Sequence, residues 1–282
     1  MKRSDIEATI LLRNNTPLDI FYGLTPNEMD HLMYDTFEER SPIQFHPDIS
    51  DATLDKIPFF RLAEAFVKVV QREKRMKLTP SGALQRKVLL ELYSHGFATE
   101  WYIENDYFKV WQEHHWPQIG SARVTANMAG LVKLSKGKIV ITAQGTMLLK
   151  AENRVELFKA IFRSYCLEFN WGFNDYYINY PVGQFGFGYS MYLMDRFGDK
   201  LLPSEFYSSA YLKAIPDLID HFADEVYTSA ESQFHDCYTL RTFERFLDWF
   251  GLVQIEKNPD GRTKPDSKLM RSALFDQIFV ID

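Results

Sequence analysis

Two stretches of the 282-residue sequence concentrate positive charge. Residues 72–87 hold Arg72, Lys74, Arg75, Lys77, Arg86 and Lys87 against a single acid, Glu73. Residues 121–150 hold Arg123, Lys133, Lys136, Lys138 and Lys150 with no acid. Clustered Lys and Arg neutralise backbone phosphates and release their counterions, which is the sequence-independent part of nucleic-acid binding. Base edges are read by Arg, Asn, Ser and Thr on a helix in the major groove. Ser121, Arg123, Thr125 and Asn127 supply those types within one helical stretch. Lys133, Lys136 and Lys138 follow around a turn, and Arg86 and Lys87 lie on another helix. The formal charge of the whole chain is -6, so cationic character is local rather than general.

Other chemistries find less support. No Cys-x-x-Cys, Gly-x-Ser-x-Gly or His-Glu-x-x-His is present. Gly186-Phe187-Gly188 lacks the third glycine of a dinucleotide site, and Gly137-Lys138 lacks the spacing of a phosphate loop. His221 with Glu225, and Glu231 with His235, sit four residues apart as metal ligands on one helix face do, but no third ligand follows at a diagnostic spacing. They read as solvated helix faces. His114 and His115 read as packing and surface. The sequence implies no cofactor, no metal site and no catalytic residue, and it points away from an enzyme. Cys166 falls on an aromatic helix face with Phe162 and Tyr165 and reads as buried and inert. Two cysteines, no apolar leader at the start and no apolar run near 20 residues favour a cytoplasmic protein with no membrane span.

The elements that would carry the cations read as follows. Thr25-Pro26-Asn27-Glu28 is a capping box that opens a helix to about Glu39. Phe59, Leu62, Ala63, Phe66, Val69 and Val70 mark a helix from Pro58. Residues 76–79 are a short strand, and a second helix carries Leu84, Val88, Leu89 and Leu92. An aromatic, acidic insert spans 97–117, with Trp101, Tyr102, Tyr107, Phe108, Trp111 and Trp116 and a short helix near 108–115. Ser121 is expected to cap a helix to about Met128. Residues 131–134 and 138–142 form a hairpin about Ser135-Lys136-Gly137. One helix is expected from Thr142 or Gln144 through the stripe Phe158, Ile161, Phe162, Tyr165 and Phe169. Leu78-Thr79-Pro80-Ser81-Gly82 echoes Ile141-Thr142-Ala143-Gln144-Gly145 and reads as two strand-to-helix junctions of like chemistry. Residues 169–190 hold nine aromatics and four glycines. A close-packed core is the favoured reading there, and a ligand-stacking surface the other. Helices near 189–198, 204–211, 216–230 and 239–250 follow, then strands at 252–256 and 274–281 around a polar tip.

Helix, strand, helix, helix, hairpin, helix is the winged-helix order. Lys138 to Leu149, with its hydrophobic-Thr-x-x-Gly pattern, resembles the wing-to-helix junction of MarR- and PadR-like regulators. The chain further resembles a family of uncharacterised bacterial proteins known by similarity to a plasmid-encoded open reading frame. The matching stretches are Tyr22-Gly23-Leu24-Thr25-Pro26 through Leu32, Lys77-Leu78-Thr79 through Tyr93, Phe169-Asn170-Trp171, and Ser272 through Phe279. Some members carry a cysteine-rich SEC-C zinc motif, whose cysteines this chain lacks. The expected fold is mainly α. It has an N-terminal arm with short helices (1–53), a winged helix-turn-helix domain (54–165) and a helical C-terminal half (166–282) ending in a second, degenerate wing-like β-hairpin. The expected function is nucleic-acid binding, DNA first, in a regulatory or mobile-element-associated role. Arg123 and Asn127 would contact bases, and the lysines phosphates. The alternative is a non-enzymatic protein-interaction scaffold. A protein partner and a homodimer both remain open.

Overall fold

The computed structural model describes residues 3–110, 112–177 and 180–281. Trp111 of the aromatic insert, and Ile178 and Asn179 of the aromatic-glycine stretch, lie outside the described residues. The chain is mainly α-helical with small antiparallel sheets. It divides into two units. The first comprises Met1–Pro47, Asn179–Asp248 and Leu252–Asp282, and the second Asp48–Ile178 and Trp249–Gly251. No helix among the described residues is long and apolar enough to cross a membrane.

The first unit opens with α1 (Arg3–Asn14) and α2 (Pro26–Tyr34). The Thr25 hydroxyl accepts the Glu28 N–H at 3.2 Å, and the Glu28 carboxylate accepts the Thr25 N–H at 2.7 Å. These two bonds satisfy orphan donors of the first turn, so a short helix starts at a defined place. It stops at Tyr34 rather than Glu39, because the chain turns through Phe37 at positive φ. Strand β1 (Ile43–Phe45) follows.

The second unit holds α3 (Asp51–Leu54), α4 (Pro58–Glu73), β2 (Met76–Lys77), α5 (Arg86–Tyr93), α6 (Trp101–Glu104), α7 (Pro117–Met128), β3 (Val132–Ser135), β4 (Lys138–Ile141), α8 (Ala143–Leu148) and α9 (Arg154–Leu167). Every apolar position of the expected α4 stripe is buried. β4 lies between β2 and β3 in a three-stranded antiparallel sheet, so of the strand expected over 76–79, residues 76–77 join the hairpin. Trp249–Gly251 complete this core. Trp249 stacks on Phe59 (5.7 Å between centroids, 8° between planes), and Phe250 meets Phe162 edge-on at 4.9 Å.

Several expectations fail here. The short helix expected near 108–115 is reduced to the 3-10 turn Glu113–His115, and α6 lies earlier, at Trp101–Glu104. Helix α7 begins at Pro117, not at Ser121. Proline at the first helical position has a preset φ and no N–H to leave unsatisfied, and Ser121 lies inside the helix. The helix expected from Thr142 through Phe169 is two, α8 and α9. Between them the Asn153 side chain donates to the Met147 carbonyl at 2.9 Å, which ends the first helix.

The first unit resumes with α10 (Phe187–Phe197), β5 (Leu202–Pro203), α11 (Ser204–Ala214) and α12 (Ala230–Tyr238). α12 runs on into a π-helical stretch, Thr239–Leu247. Next come β6 (Val253–Ile255), β7 (Lys268–Arg271), α13 (Ala273–Ile278) and β8 (Phe279–Ile281). Residues 216–230, expected as a helix, contain only the 3-10 turn Pro216–His221 before α12. The terminal hairpin is also corrected. β6 pairs with β7, not with 274–281, and β5 adds a third strand. Ser272 accepts the Leu274 N–H at 3.2 Å and opens α13. β8 then pairs with β1, Ile281 opposite Ile43.

Candidate nucleic-acid interface

The three-stranded sheet positions the wing lysines. Met76 and Ile139 are opposite each other and buried, so their neighbours Lys77 and Lys138, also opposite, project from the other face. Lys133, opposite Val140, projects from that same face. Directly opposed like charges destabilise an antiparallel pair, yet Lys77 and Lys138 are so placed. Lys136 sits exposed at the hairpin turn. None of these four lysines forms an ion pair among the described residues. Arg86 and Lys87 are exposed at the start of α5, and Lys87 reaches Glu73 at 3.8 Å. Arg72 is engaged elsewhere. It donates to both Glu91 oxygens at 2.6 and 2.8 Å, which holds the Glu91 carboxyl below its ordinary range.

The residues expected to read bases are not brought together on an open face. Ser121 and Thr125 are buried, because α7 packs against α4, α9 and the turn Glu113–His115. Their small side chains, with Gly120, Ala122 and Ala126, let neighbouring elements approach closely. They are therefore corrected from base-contacting to core positions. Arg123 is committed too. Its Nε lies 2.8 Å from the Glu113 carboxylate, and its Nη1 donates to the Gly82 carbonyl at 2.9 Å. The other Glu113 oxygen accepts the Leu84 N–H at 2.7 Å. Of the four, Asn127 alone is exposed. Glu113 and Lys77 are the residues sequence reasoning left out of the site. Lys77 was visible in the charge cluster, and its register was not. Glu113 had no signal beyond being an acid in an acidic insert.

The hydrophobic-Thr-x-x-Gly pattern has a mechanical basis. Thr142 Oγ1 accepts the Gly145 N–H at 2.9 Å and donates to the Gly130 carbonyl at 2.6 Å. A Cβ on Gly145 would lie 2.1 Å from the Leu131 carbonyl oxygen, so only glycine lets α8 seat against the hairpin's first strand. The echo at Thr79 differs. Thr79 Oγ1 accepts the Ala83 N–H at 3.0 Å, closing a turn rather than capping a helix.

The aromatic-glycine stretch belongs mainly to the cores. Phe169 and Trp171 are buried in the second unit, and Phe187 and Tyr189 in the first. A Cβ on Gly188 would lie 2.7 Å from the Leu32 carbonyl oxygen of α2. Phe173 and Tyr176 are exposed. Among the described residues no group of three or more His, Cys, Asp or Glu could hold a metal ion. His235 Nδ1 lies 2.6 Å from the buried Ser208 hydroxyl, and its Nε2 lies 3.8 Å from Glu231. Cys166 and Cys237 are both buried and not joined in a disulfide, and burial pushes the Cys166 thiol up.

A polar cleft of about 360 Å³ opens beside α4, α9 and the chain between α8 and α9. Its charges are largely internally paired. Arg154 bonds Glu64 (3.0 Å), Asp55 (2.7 Å) and Asp51 (3.1 Å), Lys68 bonds Glu64 (3.0 Å), and Arg61 bonds Asp55 (2.9 Å).

No curated protein and no solved structure matches the chain. Residues 55–154, which run from Asp55 to its ion-pair partner Arg154 and span the sheet and α7, match the family model of the Y4jL N-terminal domain.

Proposed function

We propose that the second unit contains a winged-helix module that binds nucleic acid, DNA first, through backbone phosphates. The order helix, strand, helix, helix, hairpin and the strand order β2-β4-β3 support the winged-helix reading. The observation that carries the binding reading is the sheet face on which Lys77, Lys138 and Lys133 project together with no acid paired to them among the described residues. Opposed lysines cost stability unless an anion lies across them. Arg86, Lys87 and Lys136 extend the cationic surface. The contact is to phosphates more than to base edges, since Ser121 and Thr125 are buried and Arg123 is paired with Glu113, which leaves Asn127 alone exposed of the four. A regulatory or mobile-element-associated role is part of the same proposal.

The test is fluorescence anisotropy of the full chain with mixed-sequence duplex DNA across a salt series. About four neutralised phosphates give a log–log salt slope near -3.5. Changing Lys133, Lys136 and Lys138 to Glu removes retention at low salt. An unchanged affinity in that triple variant refutes the reading. A second reading, a protein-docking scaffold, rests on Ile6, Ile10, Leu11 and Leu12 of α1, all exposed. It calls for a partner retained in pull-downs at high salt, with no binding of DNA.

A further inference from the structure

We propose that the aromatic insert between α5 and α7 is a stacking platform for unpaired nucleobases, so that the preferred ligand is single-stranded nucleic acid. The inference rests on the phosphate-binding reading above and names the form of nucleic acid taken. Six rings form a continuous surface run. Trp101 and Tyr107 stack at 5.4 Å with 20° between planes, and Tyr102 lies 5.8 Å from Phe108. Tyr102 also lies 6.0 Å from Tyr107. Phe108 stacks on His115 at 4.4 Å and 15°, and His114 abuts His115 at 4.3 Å.

Three of these rings face solvent: Tyr107 is 67% exposed, Phe108 42% exposed and His114 exposed as well, while Trp101, Tyr102 and His115 are half-buried. Flat π-faces beside cations suit bases without regard to sequence, because every base has a π-face. Glu113, next to His114, accepts the Leu84 N–H, which ties the insert to the segment leading into α5. Of the insert's four acids, Asp106 pairs with Lys109 and Glu113 with Arg123, while Glu104 accepts from the neutral Tyr93 hydroxyl and keeps its charge, so binding there is carried by stacking rather than by charge. With Ser121 and Thr125 of α7 buried and Arg123 paired to Glu113, the insert offers bases a larger surface than α7 does.

The test uses the full chain and three labelled probes: a thymidine oligonucleotide longer than about 16 nucleotides, an abasic strand of equal length, and a duplex. The thymidine strand binds about tenfold more tightly than the abasic strand, since each stacked base contributes on that scale. Tyr107→Ala with Phe108→Ala lowers thymidine-strand affinity by about tenfold and leaves duplex and abasic-strand affinity unchanged. Tyr107→Leu, which keeps bulk and loses the π-face, moves the same way. Equal affinity for thymidine and abasic strands overturns the platform, and so does an unaffected double variant, while duplex binding keeps the phosphate reading intact. Failure to bind any probe at low salt overturns both.

Discussion

Changing Arg154 to Met tests whether the charge cluster of the cleft is structural. The stake lies in Glu64, whose side chain is 6% exposed and receives two Arg154 bonds at 3.0 and 3.3 Å. Asp51 and Asp55 are more than half exposed, so their pairs with Arg154 contribute little. Removing one partner of a buried ion pair costs about 3–5 kcal/mol. Lys68 remains 3.0 Å from Glu64, which reduces the expected loss to about 2–3 kcal/mol. For a chain of this size that is a Tm drop of roughly 4–12 °C. Methionine keeps an aliphatic stem where Arg154 lies over Phe60, so lost packing is minimised. The assay is urea and thermal melting followed by circular dichroism. Arg154→Met with Glu64→Gln removes the stranded carboxylate and recovers part of the loss. There is also a pH signature. Arg154 beside Asp55 holds that carboxyl below the usual range. A depressed carboxyl contributes stability above its unfolded value of about 3.9 and loses it as pH falls through the lower folded value. The acid limb of the stability profile therefore flattens in the variant. A loss under about 0.5 kcal/mol, the level of an ordinary surface substitution, or a double variant no more stable than the single one refutes the reasoning.

Gly145→Ala places a Cβ 2.1 Å from the Leu131 carbonyl oxygen, a backbone atom that cannot swing away, and costs more than about 2 kcal/mol. Gly137→Ala, at φ +71° with nothing within 4 Å of the new Cβ, costs only about 1 kcal/mol, and comparative melting of the two separates steric from conformational effects. Burial raises the Glu244 carboxyl, only partly offset by the Thr263 N–H at 2.8 Å and nearby Arg245 and Lys257. A raised carboxyl contributes stability below its unfolded value and loses it as pH rises through the folded one. Glu244→Gln therefore raises Tm at pH 7 and removes that decline between acid and neutral pH, and a lower Tm at pH 7 counts against the assignment.

What could be read in advance was local. The Thr25–Glu28 capping box needs only four residues, and the α4 stripe needs only its own periodicity. The β3–β4 hairpin closes on a short Gly-containing turn, so its pairing was also legible. Non-local facts were hidden. Small polar residues on α7 have the same composition whether they face a DNA groove or a neighbouring helix, and only burial separates the two. Ser121 imitates a cap because serine at a cap and serine in a close helix crossing are the same letter. The pairing of β8 with β1 joins distant parts of the chain, and the six-residue α13 is too short to show a helical period. Their apolar residues therefore merged into one apparent strand. Of the interface, the cations were legible and their register was not. Lys77 became interpretable only when β2 was seen to set it against Lys138.

The chain path has a consequence for biosynthesis. The second unit is a continuous stretch from Asp48 to Ile178, apart from Trp249–Gly251, whereas the first unit needs both β1 and β8. During vectorial synthesis at about 5–20 residues per second, the sheet and helices of the second unit emerge early. Its aromatic cluster of Phe59, Phe162 and Tyr165 then waits for Trp249 and Phe250. Until those rings leave the ribosome, a sticky apolar face is open to chaperones and to other nascent chains. A message truncated before codon 249 would yield a product that keeps that exposure permanently, and aggregation would be its fate.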